Sequence, residues 1–256
     1  MFDLNGKVAL ITGGNGGIGL GMALGVAQAG AEVCIWGTNA DKNSAACEQI
    51  KATGVKATSV LCDVGDQEAV AAAFAQTLEK HGRVDACFAN AGIGGRGNAF
   101  DEMPFEEWQQ VLRVNLDGVF HTFQNAARHM RDRANSGDPG GRLVATGSLA
   151  AISGAPRGEH YAATKGALIS MVKTLSVEYA RIGVNAHTIL PGWIETAMTD
   201  GAFNNEKFVV NVKKRIPARR WGQPEDFAAI AVYIMSDASA YHTGESFLID
   251  GGYSIF

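Results

Sequence analysis

Tyr161 and Lys165 stand four residues apart, two residue types that together can move a proton. On a helix that spacing sets both side chains on one face, one turn from each other. A free tyrosine has a pKa of about 10 and is a poor base at neutral pH. A neighbouring ammonium favours the phenolate, and each unit of pKa is worth about 1.4 kcal/mol. So placed, the phenol becomes a general acid/base for an alcohol–ketone pair. Taken alone, the two residues read equally well as an exposed contact, so the rest of the chain must decide between the readings. Ser148 ends an apolar run shortly before them and is either a turn residue or a hydrogen-bond donor to a reacting oxygen.

A second constellation is built for binding. The run Thr12-Gly13-Gly14-Asn15-Gly16-Gly17-Ile18-Gly19 follows the first apolar segment and opens a helical pattern. Glycines between a strand and a helix allow a tight turn and bring backbone N–H groups close to a pyrophosphate at the helix N-terminus. Gly14, Gly16 and Gly19 fit G-x-G-x-x-G, whereas Gly13, Gly17 and Gly19 fit G-x-x-x-G-x-G. The cluster by itself leaves both spacings open.

The elements that must hold these residues alternate along the whole chain. Apolar, β-rich runs at 7–12, 32–36, 57–62, 84–89, 142–146, 184–190 and 246–249 predict seven strands, several of them apolar throughout, as strands buried on both faces are. Helical patterns lie near 17–29, 41–53, 66–81, 105–132, 159–181 and 225–236, with starts signalled by Asp66, Pro104 and Pro224-Glu225-Asp226. This alternation predicts an α/β fold: one doubly wound, Rossmann-type parallel sheet of seven strands with helices on both faces. No repeat or linker divides it, so residues 1–256 are read as a single domain. Residues 193–223 are long for a connection and predict a lid or substrate loop. Their basic run of Lys213, Lys214, Arg215, Arg219 and Arg220 reads as a solvated face, and the polar loop 135–141 as a surface connection.

Composition narrows the classes. The net charge of −4 offers no basic footprint for nucleic acid or an anionic membrane. Residues 228–235 form the longest uncharged apolar stretch, too short to span a bilayer, and no targeting signal precedes the first strand. Cys34, Cys47, Cys62 and Cys87 lack metal-ligand spacing and read as small core residues, so no metal and a cytoplasmic location are expected. The 19% charged fraction is low and fits a chain that hides surface in an oligomer.

Further elements fall in a fixed order: Asn90-Ala91-Gly92 after the fourth strand, Asn115 on the next long helix, Ser148 after the fifth strand, then Tyr161-Ala162-Ala163-Thr164-Lys165, and Pro191-Gly192 with Thr196 after the sixth. In combination they resemble the short-chain dehydrogenase/reductase family over essentially the whole chain. The resemblance selects the spacing Thr12, Gly13, Gly17, Gly19 for the glycine loop. It implies that Tyr161 exchanges a proton with the substrate oxygen, that Ser148 orients that oxygen, and that Lys165 also holds the nicotinamide ribose. Asn115 is expected to fix a helix irregularity and a proton-passing water; read alone, it is a helix-interior amide with backbone partners.

The same resemblance implies the cofactor contacts. Gly13, Asn15, Gly17, Ile18 and Gly19 would hold the pyrophosphate, and Asn90, Ala91 and Gly92 would lie against the adenosine ribose. Asp63, beside Val64, would meet the adenine, unless it caps the helix starting at Asp66. Pro191, Gly192, Ile194 and Thr196 would reach the nicotinamide. Gly37 stands where an NAD enzyme usually has an aspartate, so the sequence leans toward NADP over NAD, with Thr38 and Asn39 left to hydrogen-bond a 2′-phosphate without a cation. Gly94, Ile152, Gly154, His160, Trp193 and Met198, with Glu195 nearby, would line a mostly apolar pocket for a small alcohol or ketone; His160 either touches substrate or is an exposed helix-start residue. The expected activity is NAD(P)-dependent hydride transfer in a homotetramer. A dinucleotide-binding redox sensor without turnover is the competing class, and Tyr161 with Lys165 argues against it. An epimerase or dehydratase is a third reading, and the absence of a separate substrate domain argues against it.

Overall fold

The seven predicted strands form one parallel sheet in the order β3-β2-β1-β4-β5-β6-β7. The computed structural model describes residues 2–256. Its strands are β1 (Val8–Thr12), β2 (Glu32–Gly37), β3 (Ala57–Leu61), β4 (Ala86–Ala89), β5 (Gly141–Thr146), β6 (Val184–Pro191) and β7 (Ser246–Ile249). Every residue of β1, β4, β5 and β6 is buried; β1 and β4 are accordingly almost wholly apolar, whereas β5 and β6 also bury Arg142, Asn185 and His187. Ile11 of β1 lies between Ile35 of β2 and Phe88 of β4 in register. Strand order reverses between β1 and β4, and in such sheets ligands bind outside the carboxyl ends of the strands at that switch point.

Helices cover both faces. On one lie α1 (Gly17–Gln28), α2 (Ala40–Lys51) and α9 (Ala228–Met235), whose Met22, Ala46 and Ile234 share a core with Ile11 and Ile35. On the other lie α3 (Gln67–His81), α5 (Gly118–Asn135) and α6 (Glu159–Tyr179), which bring Val70, Phe123 and Leu168 against Leu10 and Leu143. Glycines weaken α1 as a helix former, but two of them set its packing. A Cβ on Gly21 would stand 2.0 Å from the Pro224 carbonyl oxygen, and one on Gly25 would stand 2.6 Å from the Ala228 Cβ. Asp66 caps α3 as the sequence predicts, its Oδ1 accepting from Glu68 N at 2.9 Å and Ala69 N at 3.0 Å.

Three predicted segments differ in detail. The pattern at 105–132 is not one helix: α4 (Phe105–Leu112) passes through a π-helical turn, Arg113–Asp117, into α5. Apolar spacing runs on across that turn, so periodicity cannot reveal the inserted residue. The segment at 225–236 begins as a tight 3-10 turn, Pro224–Phe227, before α9. Residues 193–223 contain two short helices, α7 (Asp200–Phe203) and α8 (Glu206–Lys213), above a base closed by the bridge between Ile194 and Gly222.

Candidate active site

The glycine loop is held by residues from three strand ends. Thr12 Oγ1 accepts from Asn90 N and Ala91 N, both at 3.0 Å. Asn90 Nδ2 donates to Thr12 O at 3.1 Å and Gly13 O at 3.3 Å, while its Oδ1 accepts from Thr146 Oγ1 at 3.1 Å. One asparagine thus ties β1, β4 and β5 together. Gly13 has φ +63°, and a Cβ on Gly19 would stand 2.3 Å from the Gly13 carbonyl oxygen. No side chain caps α1 and its first turn holds no acid, so its leading N–H groups remain available to an anion. This cradle fits the pyrophosphate of a dinucleotide.

A cleft of about 560 Å³ runs along the loop and brings together Gly13, Asn15, Gly17, Ile18, Asn90, Ala91, Gly92, Ser148, Tyr161, Lys165, Pro191, Gly192, Ile194 and Thr196. At its reactive end, α6 presents Tyr161 and Lys165 on one face, with Lys165 Nζ 5.4 Å from the phenol ring centroid. The ammonium donates to Thr146 O at 2.7 Å, and burial lowers its pKa to about 8. Burial pushes the Tyr161 phenol up, while the Ser148 hydroxyl pulls it the other way. Ser148 ends β5 on a short turn and accepts from Ala150 N at 3.1 Å, leaving its O–H free to donate. A protonated phenol beside a hydroxyl donor is arranged to give a proton to a carbonyl oxygen.

Asn115 lies behind this group, fully buried within the π turn. Its Oδ1 accepts from Ile93 N at 2.8 Å and its Nδ2 donates to Ile93 O at 2.9 Å. Both functions are spent on the backbone that follows β4, so the helix irregularity is present and the side chain anchors the loop beside Gly92. His160 is neither of the things the sequence suggests. It is fully buried, with Nε2 3.3 Å from Glu107 Oε1, and Glu107 also accepts from Arg96 N and, at 2.7 Å, from Asn98 Nδ2. The Arg96 N–H and these other donors hold the Glu107 carboxyl below its usual range. This pair joins the loop after β4 to the start of α6, directly before Tyr161.

At the adenosine end several expected residues lie beside the cleft instead of in its lining. Asn39 is the N-cap of α2, its Oδ1 accepting from Lys42 N at 2.9 Å, and Thr38 is exposed; neither lines the cleft, and neither do Gly19, Asp63 and Val64. Burial raises the Asp63 carboxyl, but the Gly65 N–H and the Arg113 guanidinium outweigh it, and its pKa falls below the ordinary value. Arg113 Nη1 is 3.0 Å from Asp63 Oδ2. Asp63 therefore does not cap α3, and one of its oxygens is engaged by an arginine. Val64 is buried against Gly118. The cleft instead reaches Lys42, Ala45 and Gln49 on α2, which sequence reasoning missed. The available signal was Lys42's place in the first turn of the helix that Asn39 starts.

Over the reactive end stands the 193–223 segment. Phe203 stacks on Trp221 with ring centroids 4.3 Å apart, and Trp193 meets Phe208 edge-on at 4.9 Å. Met198 lines the cleft, and Glu195 Oε2 accepts from Gln223 Nε2 at 2.6 Å at the base of the segment. The basic run faces outward: Arg220 pairs with Asp226 at 2.6 Å and the Arg215 guanidinium lies 4.5 Å over the Tyr253 ring. All four cysteines are unpaired and buried. Among the described residues no cluster of His, Cys, Asp and Glu could hold a metal ion, and no helix is long and apolar enough to cross a membrane.

Comparison with known proteins places this geometry among dehydrogenases and reductases. The family model described as enoyl-(acyl carrier protein) reductase matches residues 13–254. The chain is 35% identical over 255 residues to gluconate 5-dehydrogenase of Gluconobacter oxydans (strain 621H), covering 100% of this chain and 97% of that protein. It is 36% identical over 253 residues to 2-dehydro-3-deoxy-D-gluconate 5-dehydrogenase of Bacillus subtilis (strain 168), covering 98% of this chain and 96% of the relative. The crystal structure of a gluconate 5-dehydrogenase from Burkholderia cenocepacia J2315, in complex with NADP and tartrate, superposes with a TM-score of 0.93 at 34% identity, over 100% of this chain and 98% of that one.

Proposed function

The chain belongs to the short-chain dehydrogenase/reductase family and is an NAD(P)-dependent oxidoreductase; from that premise we propose that it interconverts a small secondary alcohol and its ketone with NADP(H), Tyr161 being the acid/base. The observation that carries this reading is that Ser148, Tyr161 and Lys165 line one cleft with the glycine loop. Nicotinamide, when bound, supplies or accepts the hydride. In reduction the Ser148 O–H and the Tyr161 O–H both donate to the ketone oxygen, and the phenol passes its proton as the carbonyl becomes an alcohol. In oxidation the Lys165 ammonium stabilises the phenolate that takes the proton back. Gly13, Asn15, Gly17 and Ile18 hold the pyrophosphate; Asn90, Ala91 and Gly92 hold the adenosine ribose; Pro191, Gly192, Ile194 and Thr196 hold the nicotinamide. Asn115 acts through Ile93 by keeping the loop after β4 in place.

Relatives named for gluconate-type polyhydroxy acids put such acids and their keto forms first among the substrates to test. The test is a panel of these and of simple alcohols and ketones, followed by reduced-nicotinamide absorbance. Tyr161→Phe should keep cofactor binding and lose turnover by about a hundredfold or more. Near-normal turnover in that variant would refute the assignment.

The same reading includes assembly into a homotetramer in the cytoplasm. Two apolar surfaces support it. One is a groove on α5 and α6 lined by Phe120, Met171, Leu175 and Tyr179, with Val177 80% exposed nearby. The other is the edge at β7 and the C-terminus, where Ile255 and Phe256 do not fold back but are 88% and 69% exposed. Two separate isologous faces suffice to close a tetramer. Four free, buried cysteines fit a reducing compartment.

A further inference from the structure

Cofactor choice in this chain has no counterpart to the groups sought at the end of β2: position 37 has no carboxylate, position 38 no arginine, and the glycine loop no cation. The structure explains the first absence. Asn15 Nδ2 donates to Asn43 Oδ1 at 2.7 Å, and Asn43 Nδ2 donates to Gly37 O at 3.0 Å. A Cβ on Gly37 would stand 2.3 Å from Asn15 Nδ2 and 2.4 Å from Asn43 Oδ1. Asn43 is 3% exposed and cannot swing away into water. This amide clip lies in the space that an aspartate would need, so the residue that normally binds a 2′-hydroxyl and repels a 2′-phosphate could stand here only if the two asparagines parted.

The clip occupies Asn15 and Asn43, and the helix cap occupies Asn39. One cationic side chain besides Lys165 lines the cleft, and it is Lys42. It lies on the solvent side of α2, one residue before the clip, at the opposite end of the cleft from Tyr161. The neighbouring lysines of this region are engaged: Lys51 with Glu48 at 2.9 Å and Lys56 with Glu32 at 3.6 Å. Lys42 has no such partner among the described residues.

We propose that Lys42 is the specificity-determining residue for the ribose 2′-phosphate of NADP(H), replacing the arginine absent at position 38. The inference rests on the NADP reading above and assigns it to one side chain. A 2′-phosphomonoester carries about −1.5 to −2 charge at neutral pH, whereas the hydroxyl of NAD is neutral. A flexible ammonium at the rim therefore discriminates by charge, with the exposed Thr38 hydroxyl as a second donor.

The experiment is direct binding by calorimetry, without turnover, of NADP⁺, NAD⁺, 2′,5′-ADP and 5′-AMP to the wild type, Lys42→Gln and Lys42→Arg. Lys42 is exposed and makes no side-chain bond, so the variants should fold, and thermal melts confirm that they do. Lys42→Gln should weaken NADP⁺ and 2′,5′-ADP by roughly tenfold, the scale of one charge-assisted contact. It should leave NAD⁺ and 5′-AMP unchanged, and Lys42→Arg should restore the loss. The NADP⁺ affinity of wild type should also fall faster with salt than that of Lys42→Gln. Equal weakening of all four ligands would place Lys42 on the 5′-phosphate they share and overturn the proposal, as would no change in any. A wild type that prefers NADP⁺ while Lys42→Gln is silent sinks this inference and leaves the cofactor reading standing. A wild type that prefers NAD⁺ while Lys42→Gln still loses only the 2′-phosphorylated ligands sinks the cofactor reading and keeps Lys42.

Discussion

Lys165 pays for its place in the cleft with stability, and that cost has a measurable pH signature. The side chain is 3% exposed, donates to Thr146 O and has no acidic partner. Burial lowers its pKa from 10.5 to about 8. Between those values the unfolded chain holds a proton that the folded chain has lost, so folding becomes more favourable as pH rises through this window. The full penalty, present below about pH 8, is on the order of 3 kcal/mol. Between about pH 7 and pH 9.5 the relief integrates to about 2 kcal/mol. Lys165→Met removes the titrating group. It also leaves the Thr146 carbonyl unpaired at a cost of about 1–3 kcal/mol, but that loss does not depend on pH. The difference in stability between wild type and Lys165→Met should therefore shift toward wild type by about 2 kcal/mol across the interval. For a chain of this size that is about 4–8 °C in relative Tm. Tyr161 is present in both proteins, so its own titration largely cancels in the difference. Urea unfolding of the cofactor-free proteins at both pH values measures the difference. Parallel stability curves for the two proteins would refute a buried lysine with a depressed pKa, and with it the account of how Lys165 is poised.

Asn115→Ala strips partners from both the N–H and the carbonyl of Ile93, and it should cost about 2–4 kcal/mol in urea unfolding and weaken dinucleotide binding through the loop beside Gly92. A loss under about 0.5 kcal/mol would show that water replaces both bonds without penalty. Deleting residues 253–256 should shift light scattering behind a sizing column from a tetramer toward smaller species, with per-site turnover changed far less than by Tyr161→Phe. An unchanged mass would place the assembly contacts elsewhere.

Much of this architecture was legible because local and global signals agree in it. Buried parallel strands are largely apolar, and residues 8–11, 86–89 and 143–145 are, so strand positions could be read to within a residue or two. Asp66 caps the helix it introduces, since the local rule for an N-cap needs no tertiary information. The same locality makes Tyr161 and Lys165 readable: helix geometry alone sets them side by side.

The features that the chain's local pattern does not show share a different cause. Each depends on a contact between distant parts of the chain. Asn115 sits in a helical pattern whose extra residue leaves no trace in apolar spacing, and its partner Ile93 lies in a loop. His160 is polar and starts a helix, yet Glu107, reaching in from α4, lets it be buried. At the adenosine end the hidden feature is of the same kind. The sequence shows a glycine at position 37 and suggests an empty position, whereas two asparagines, 28 residues apart, fill that position and hold it closed. Where a carboxylate is missing, two side-chain amides stand, and the cleft-lining cation proposed to compensate lies three residues past the cap instead of directly after the strand. Installing a carboxylate at the end of β2 therefore needs two steps in this chain. Opening the clip at Asn43 must precede an acidic residue at position 37, and an aspartate introduced alone would disturb the end of β2 before it could meet a ribose.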